Sequence, residues 1–127
     1  MKQTIYLLGN PNYEQDSLPL KILPRLKQQF PEINFQHLDP TENFPEEENL
    51  VLIDTIVGID KVRVLTLADL DKVELSPQCS LHDFDLGFQL KLMKKLGKLK
   101  DVKIVGVPAD YDEKKAVEEI ERVLNEF

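Results

Sequence analysis

The chain has a single cysteine, Cys79, among 127 residues, so no internal disulfide and no CxxC metal site can form. That usage fits a reducing compartment, and a cytoplasmic protein is the expectation. Long apolar runs are missing too. No stretch approaches the ~18 apolar residues that a membrane-spanning helix requires. The start, "MKQTIYLLGN", has only Ile5 to Leu8 as an apolar run, shorter than the ~7–15 residues of a signal-peptide core. No small-residue cleavage site follows, so a buried first strand is the better reading. Positive charge is short: the net charge is −7, which works against binding nucleic acid backbones, because that affinity comes from Lys and Arg neutralising phosphates. Aromatic residues are sparse at 7%, and none forms a stacking row in basic surroundings. "LLGN" lacks the GxGxxG of a dinucleotide-binding turn, and no GxxxxGK[ST] or GxSxG occurs. Nucleotide cofactors and serine-hydrolase chemistry are thereby disfavoured.

What is present suffices for one domain, residues 1–127, because a chain of this size buries roughly two-thirds of its unfolded surface. Charge is distributed unevenly. "PTENFPEEENL" carries four Glu between Glu42 and Glu48, and "KLMKKLGKLKDVK" carries six Lys, both read as solvated faces. Thr4 to Leu8 reads as a buried strand. Asp16 or Ser17 would cap a helix whose apolar residues are Leu18, Ile22, Leu23, Leu26 and Phe30, with Pro19 tolerated in its first turn. Pro24 falls inside that pattern and predicts a kink or a later start. Ile33, Phe35 and Leu38 mark a short strand, and the continuous apolar run of "NLVLIDTIV" suits a central strand covered on both faces. "KVRVLTL" alternates with charge, as an edge strand does. A helix over Leu86 to Leu96 stops at Gly97, "VKIVGVP" is the last strand, and Asp112 to Phe127 forms an amphipathic helix. The order β-α-β-β-β-α-β-α predicts an α/β three-layer sandwich: a twisted, mostly parallel sheet of about five strands flanked by helices. Its functional crevice should lie beyond the carboxyl ends of the strands.

Three residues of useful chemistry fall at that edge. Asp16 follows the loop that leaves the first strand, Asp54 closes "LVLID", and His82 precedes the second long helix. Two carboxylates and an imidazole suit a divalent transition metal, although only the fold can bring together positions so far apart. Each also has a structural role open to it: Asp16 as a helix cap, Asp54 as an acceptor for neighbouring N–H groups, His82 as an exposed loop residue. Asp83 and Asp85 are natural caps for the helix that follows. His37 and Asp39 share one face of a strand, read as solvated, and Cys79 has no surrounding triad that would make it a nucleophile.

Four segments in order resemble the hydrogenase maturation endopeptidases. "YLLGNPNYEQDS" is similar to that family's opening strand, Gly-Asn pair and acid leading into a helix. "LVLIDTIVG" resembles its apolar strand closed by Asp, "CSLHDFDLGFQLKLMKKLG" its Ser-x-His segment before a leucine-rich helix, and "DVKIVGVPAD" its last strand with Gly-(Ile/Val)-x-Pro. The resemblance spans nearly the whole chain. It implies that Asp16, Asp54 and His82 form the metal-binding and catalytic set. It also implies an endopeptidase that removes the C-terminal extension of a nickel–iron hydrogenase large-subunit precursor after nickel insertion, the nickel arriving with the precursor. Two segments depart from the family pattern. The adjacent acids and Gly-x-Gly are replaced by Gln15-Asp16-Ser17 followed by Leu18-Pro19, and the Asp-Gly-Gly-Thr segment is "LDPTEN", Leu38 to Asn43. A non-proteolytic metal-binding or hydrogenase-assembly paralogue on the same fold is the alternative implied by those departures. A purely structural module using the acidic loop as its contact surface is a third.

Overall fold

The computed structural model describes residues 3–9, 17–38, 45, 47–71, 74–75 and 86–126. Its elements in chain order are β1 (Thr4–Leu7), α1 (Leu18–Gln29), β2 (Asn34–His37), β3 (Asn49–Val57), β4 (Arg63–Leu65), a 3-10 turn (Leu67–Asp71), β5 (Glu74–Leu75), α2 (Leu86–Lys95), β6 (Asp101–Pro108) and α3 (Glu113–Leu124). Five strands hydrogen-bond in the order β2-β1-β3-β6-β4, and the short β5 adds to β3. β1 is parallel to β2 and β3, and β3 is parallel to β6. β4 runs antiparallel on the β6 edge, as its alternating charge predicts. Neither β5 nor the 3-10 turn is legible in sequence, since two residues are too few to show any period.

Successive residues of β3 point to opposite faces, and both faces are apolar. Val51 and Ile53 join Ile5, Leu7, Ile22, Leu26, Val105, Ala116 and Ile120 in the cluster beneath α1 and α3. Leu50, Leu52 and Ile56 join Leu8, Leu38, Leu90, Met93, Val102 and Ile104 beneath α2. The sheet is therefore the middle of three layers, with two of the described helices on one face and one on the other. A side chain the size of Ile or Leu contributes ~1.5–3 kcal/mol when fully buried, so these two clusters carry the fold.

Local chemistry explains the helix ends. α1 begins at Leu18, earlier than Pro24 alone would suggest, because Pro19 sits in the first turn and the exposed Pro24 turns its lost hydrogen bond toward water. Ser17 occupies the cap position, its carbonyl accepting from the Leu20 and Lys21 amides at 3.1 Å. α2 ends in a Schellman turn: Gly97 has φ +79°, the Lys98 amide donates to the Met93 carbonyl at 3.0 Å, and the Gly97 amide donates to Lys94 at 3.1 Å. The Asp112 carboxylate caps α3 by accepting from the Lys115 amide at 3.0 Å. Ala116, Val117 and Ile120 are that helix's buried stripe, and Phe127, which sequence adds to the stripe, lies outside the described residues.

The acidic run is not wholly a solvated face. Glu48 is, pairing with Lys100 at 3.3 Å with both side chains well exposed, an interaction contributing at most ~1 kcal/mol. Glu47 instead turns inward. Its carboxylate accepts the Tyr6 hydroxyl, and its Oε2 is buried with no hydrogen-bond partner among the described residues.

Gly106 is the tightest point of the sheet. A Cβ there would lie 2.5 Å from Ile56 Cγ1, a distance that forces either the side chain or the strand to move. Gly106→Ala should therefore lower the unfolding free energy by ~1–3 kcal/mol in urea titrations. Combined with Ile56→Ala, which removes the clashing atom, its added cost should largely vanish; additive losses would refute the steric account.

Candidate functional site

β1 pairs with β3 only as far as Leu7 opposite Ile53, whereas β3 and β6 stay paired through Ile56 opposite Pro108. Asp54 is thus the first β3 residue past the end of β1. Strand order diverges at this point, β2 lying on the far side of β1 and β6 on the far side of β3, which places a crevice at their carboxyl ends. β6 occupies one edge of β3, so β5, pairing Leu75 with Ile56 and Glu74 with Val57, takes the edge that β1 vacates.

Asp54 is 0% exposed and is the only buried ionisable side chain among the described residues. Its Oδ1 accepts the Thr55 amide at 2.8 Å. Burying a carboxylate costs several kcal/mol unless hydrogen bonds or cations compensate, which sets Asp54 apart from the apolar residues of its strand. The residue does not close its strand, as "LVLID" suggests, because β3 continues to Val57. It shares the parity of Leu52 and Ile56, the face covered by α2, and lies opposite Gly106, which has no side chain to compete for space. Asp16 and His82 lie outside the described residues, as do Asp39, Cys79, Asp83 and Asp85. Among the described residues no three His, Cys, Asp or Glu side chains are close enough together to hold a metal ion.

Two residues at the carboxyl edge of the sheet carry no signal in the sequence. Thr55 is 1% exposed and belongs to the opposite face, level with Val107, yet its Oγ1 has no hydrogen-bond partner among the described residues. A threonine within "LIDTIV" looks like any β-branched strand residue, so nothing marks it. On the same rim Glu119 joins two loops: its Oε1 accepts the Val62 amide at 3.1 Å, and its Oε2 accepts the Tyr111 hydroxyl. The Lys115 ammonium lies 5.1 Å from the centre of the Tyr111 ring. The hydrogen bond to Glu119, helped by burial and the carboxylate's charge, pushes the Tyr111 hydroxyl up to about 12. Burial first, and then Glu47, does the same to Tyr6. A groove of about 510 Å³ between α1 and α3, lined by Arg25, Gln29, Lys114 and Glu118 among others, does not include Asp54.

Comparison with solved structures bears on this arrangement. The hydrogenase 3 maturation protease superposes with a TM-score of 0.64 at 16% identity, over 95% of this chain and 88% of that one. The hydrogenase maturating endopeptidase HybD from E. coli gives 0.59 at 18% identity, over 98% and 88%. The chain has the fold of the hydrogenase maturation endopeptidases. A hydrogenase 2 maturation peptidase from Thaumarchaeota archaeon SCGC_AB-539-E09 shares it too, at TM-score 0.51 and 16% identity over 98% of this chain and 97% of that one. No protein-family model matches the chain, and neither does any curated protein sequence. On the maturation-endopeptidase fold, the described helices flank a mostly parallel sheet, which is the expected three-layer architecture.

Two predictions follow from the rim. Thr55→Val replaces a buried hydroxyl lacking a described partner with a methyl group, and should raise the unfolding free energy by about 1 kcal/mol. A loss instead would show that the hydroxyl makes a hydrogen bond. Alkaline titration should find two of the three tyrosines ionising near pH 12 by tyrosinate absorbance, and Tyr6→Phe should remove one of them. Because folding raises these hydroxyls above their ordinary value of 10.0, their stabilisation is complete below pH 10 and declines as pH rises toward 12.

Proposed function

We propose that the protein is an endopeptidase that removes the C-terminal extension of a nickel–iron hydrogenase large-subunit precursor. The observation that carries the reading is Asp54, a fully buried carboxylate just past the end of β1, on a fold shared with hydrogenase maturation endopeptidases. In this proposal Asp16, Asp54 and His82 contact the nickel that the precursor brings as cargo, so cleavage awaits metal insertion. Hydrolysis adds one water across the scissile amide, giving a new carboxyl terminus and a free amine. A carbonyl polarised by the metal, or a water activated by it, would each serve that step. Among the described residues no helix is long and apolar enough to cross a membrane. The reading places the protein in the cytoplasm with its precursor.

A second reading rests on "LDPTEN". Asp39-Pro40 stands where the resembling family has Asp-Gly-Gly, and a proline fixes φ and lacks the N–H that a glycine would offer a bound peptide. A paralogue that binds the metal and assists assembly without cutting would carry such a change.

Incubation with a nickel-loaded precursor separates the two. The first reading predicts a mass loss equal to the C-terminal peptide, and no loss with the nickel-free precursor. Asp54→Asn keeps an acceptor for the Thr55 amide but removes the charge, so cleavage should fall by at least ~100-fold while the fold persists by circular dichroism. Asp16→Asn and His82→Ala should do the same. Nickel-dependent association with an intact precursor would favour the assembly role.

A further inference from the structure

The ladder that holds β1 runs out at its carboxyl end. Leu7 O accepts the Leu38 amide at 2.9 Å on the β2 side, and the Leu8 amide donates to Ile53 O at 2.8 Å on the β3 side. Beyond these, the described backbone bonds give Gly9 none. What reaches it is a side chain. His37 Nε2, on the exposed last residue of β2, lies 3.1 Å from the Gly9 carbonyl oxygen. A carbonyl oxygen can only accept, so the ring must carry its proton on Nε2 for this bond to form.

We infer that His37 is a positioning residue, holding the exit of β1 at Gly9, from which the chain runs on toward Asp16. The inference rests on the proposed function, since it assigns His37 a part in presenting Asp16 for that reaction. His37 is paired with Leu7, which is paired with Ile53, so it lies level with the residue before Asp54, two strands away and on the α1 and α3 face, opposite the face of Asp54. The sequence "QHLDP" reads as a solvated strand end, and that bland reading omits what the ring touches. An exposed histidine contributes little by burial, so its selection at this position is better explained by the bond than by packing. Small displacements of a contacting group are costly in a reaction that depends on placement, which is how a bond at Gly9 would be felt at the metal.

The test compares wild type, His37→Ala and His37→Gln, whose amide can also donate to the Gly9 oxygen. Amide exchange of the segment beginning at Gly9 should accelerate roughly threefold to tenfold in His37→Ala, while β6 and α3 stay as protected as in wild type. Cleavage of the nickel-loaded precursor should fall about tenfold, chiefly in kcat with KM little changed, and His37→Gln should restore much of both. Unchanged exchange in His37→Ala overturns the inference, whatever cleavage does. Faster exchange with undiminished cleavage overturns the link to the reaction. If wild type cuts no precursor in either nickel state, the proposed function fails, and with it the part assigned to His37 in presenting Asp16. The exchange comparison then still decides whether the ring pins Gly9.

Discussion

The parallel pairing of β3 with β6, unbroken from Asn49 opposite Asp101 to Ile56 opposite Pro108, is the constraint on which the rest of the molecule depends. Both strands are covered on two faces over most of their length, so nearly all their residues must suit one apolar layer or the other. The demand is strict enough that Gly106 leaves no room for a methyl group beside Ile56. Asp54 sits within this pair. A carboxyl group there interrupts the apolar layers that make the strand central.

Around the carboxyl edge, backbone ladders give way to side chains. β1 stops before β3 does, β5 pairs with β3 for only two residues, and the loops are tied by His37 to Gly9 and by Glu119 to Val62 and Tyr111. Side-chain bonds can be rearranged at less cost than a ladder, and they place particular atoms rather than whole strands. The opposite edge is simpler, with Glu48 and Lys100 meeting in water and the Glu48 carbonyl accepting from the amides that open β6.

Much of the framework was legible in the residues because it depends on local periodicity. The α3 stripe of Ala116, Val117 and Ile120, the stop at Gly97 and the edge character of Val64 follow from spacing or from one residue's backbone preference. Asp54 stood out for the same reason, as an acid in an apolar run. Less legible were features decided by contacts between distant segments. Glu47 lies among acids that look solvated, but Tyr6 draws it inward. Pro24 looks like a break, but it falls on the exposed side of α1, where water can meet the carbonyl it frees. Thr55 and His37 are ordinary strand residues until their surroundings are known.

Alone, the sequence determined the kinds and order of the longer elements, the two-faced burial of β3 and the placement of an acid in it, because hydrophobic period and turn chemistry act over a few residues. Tertiary structure decided where β1 stops relative to β3, which edge β5 takes, and that Asp54 has no exposure at all. It also brought His37 to Gly9, a contact between residues 28 apart in the chain. Register and strand order are set by the pairing of segments far apart in sequence, and no local pattern encodes which partner each strand will find.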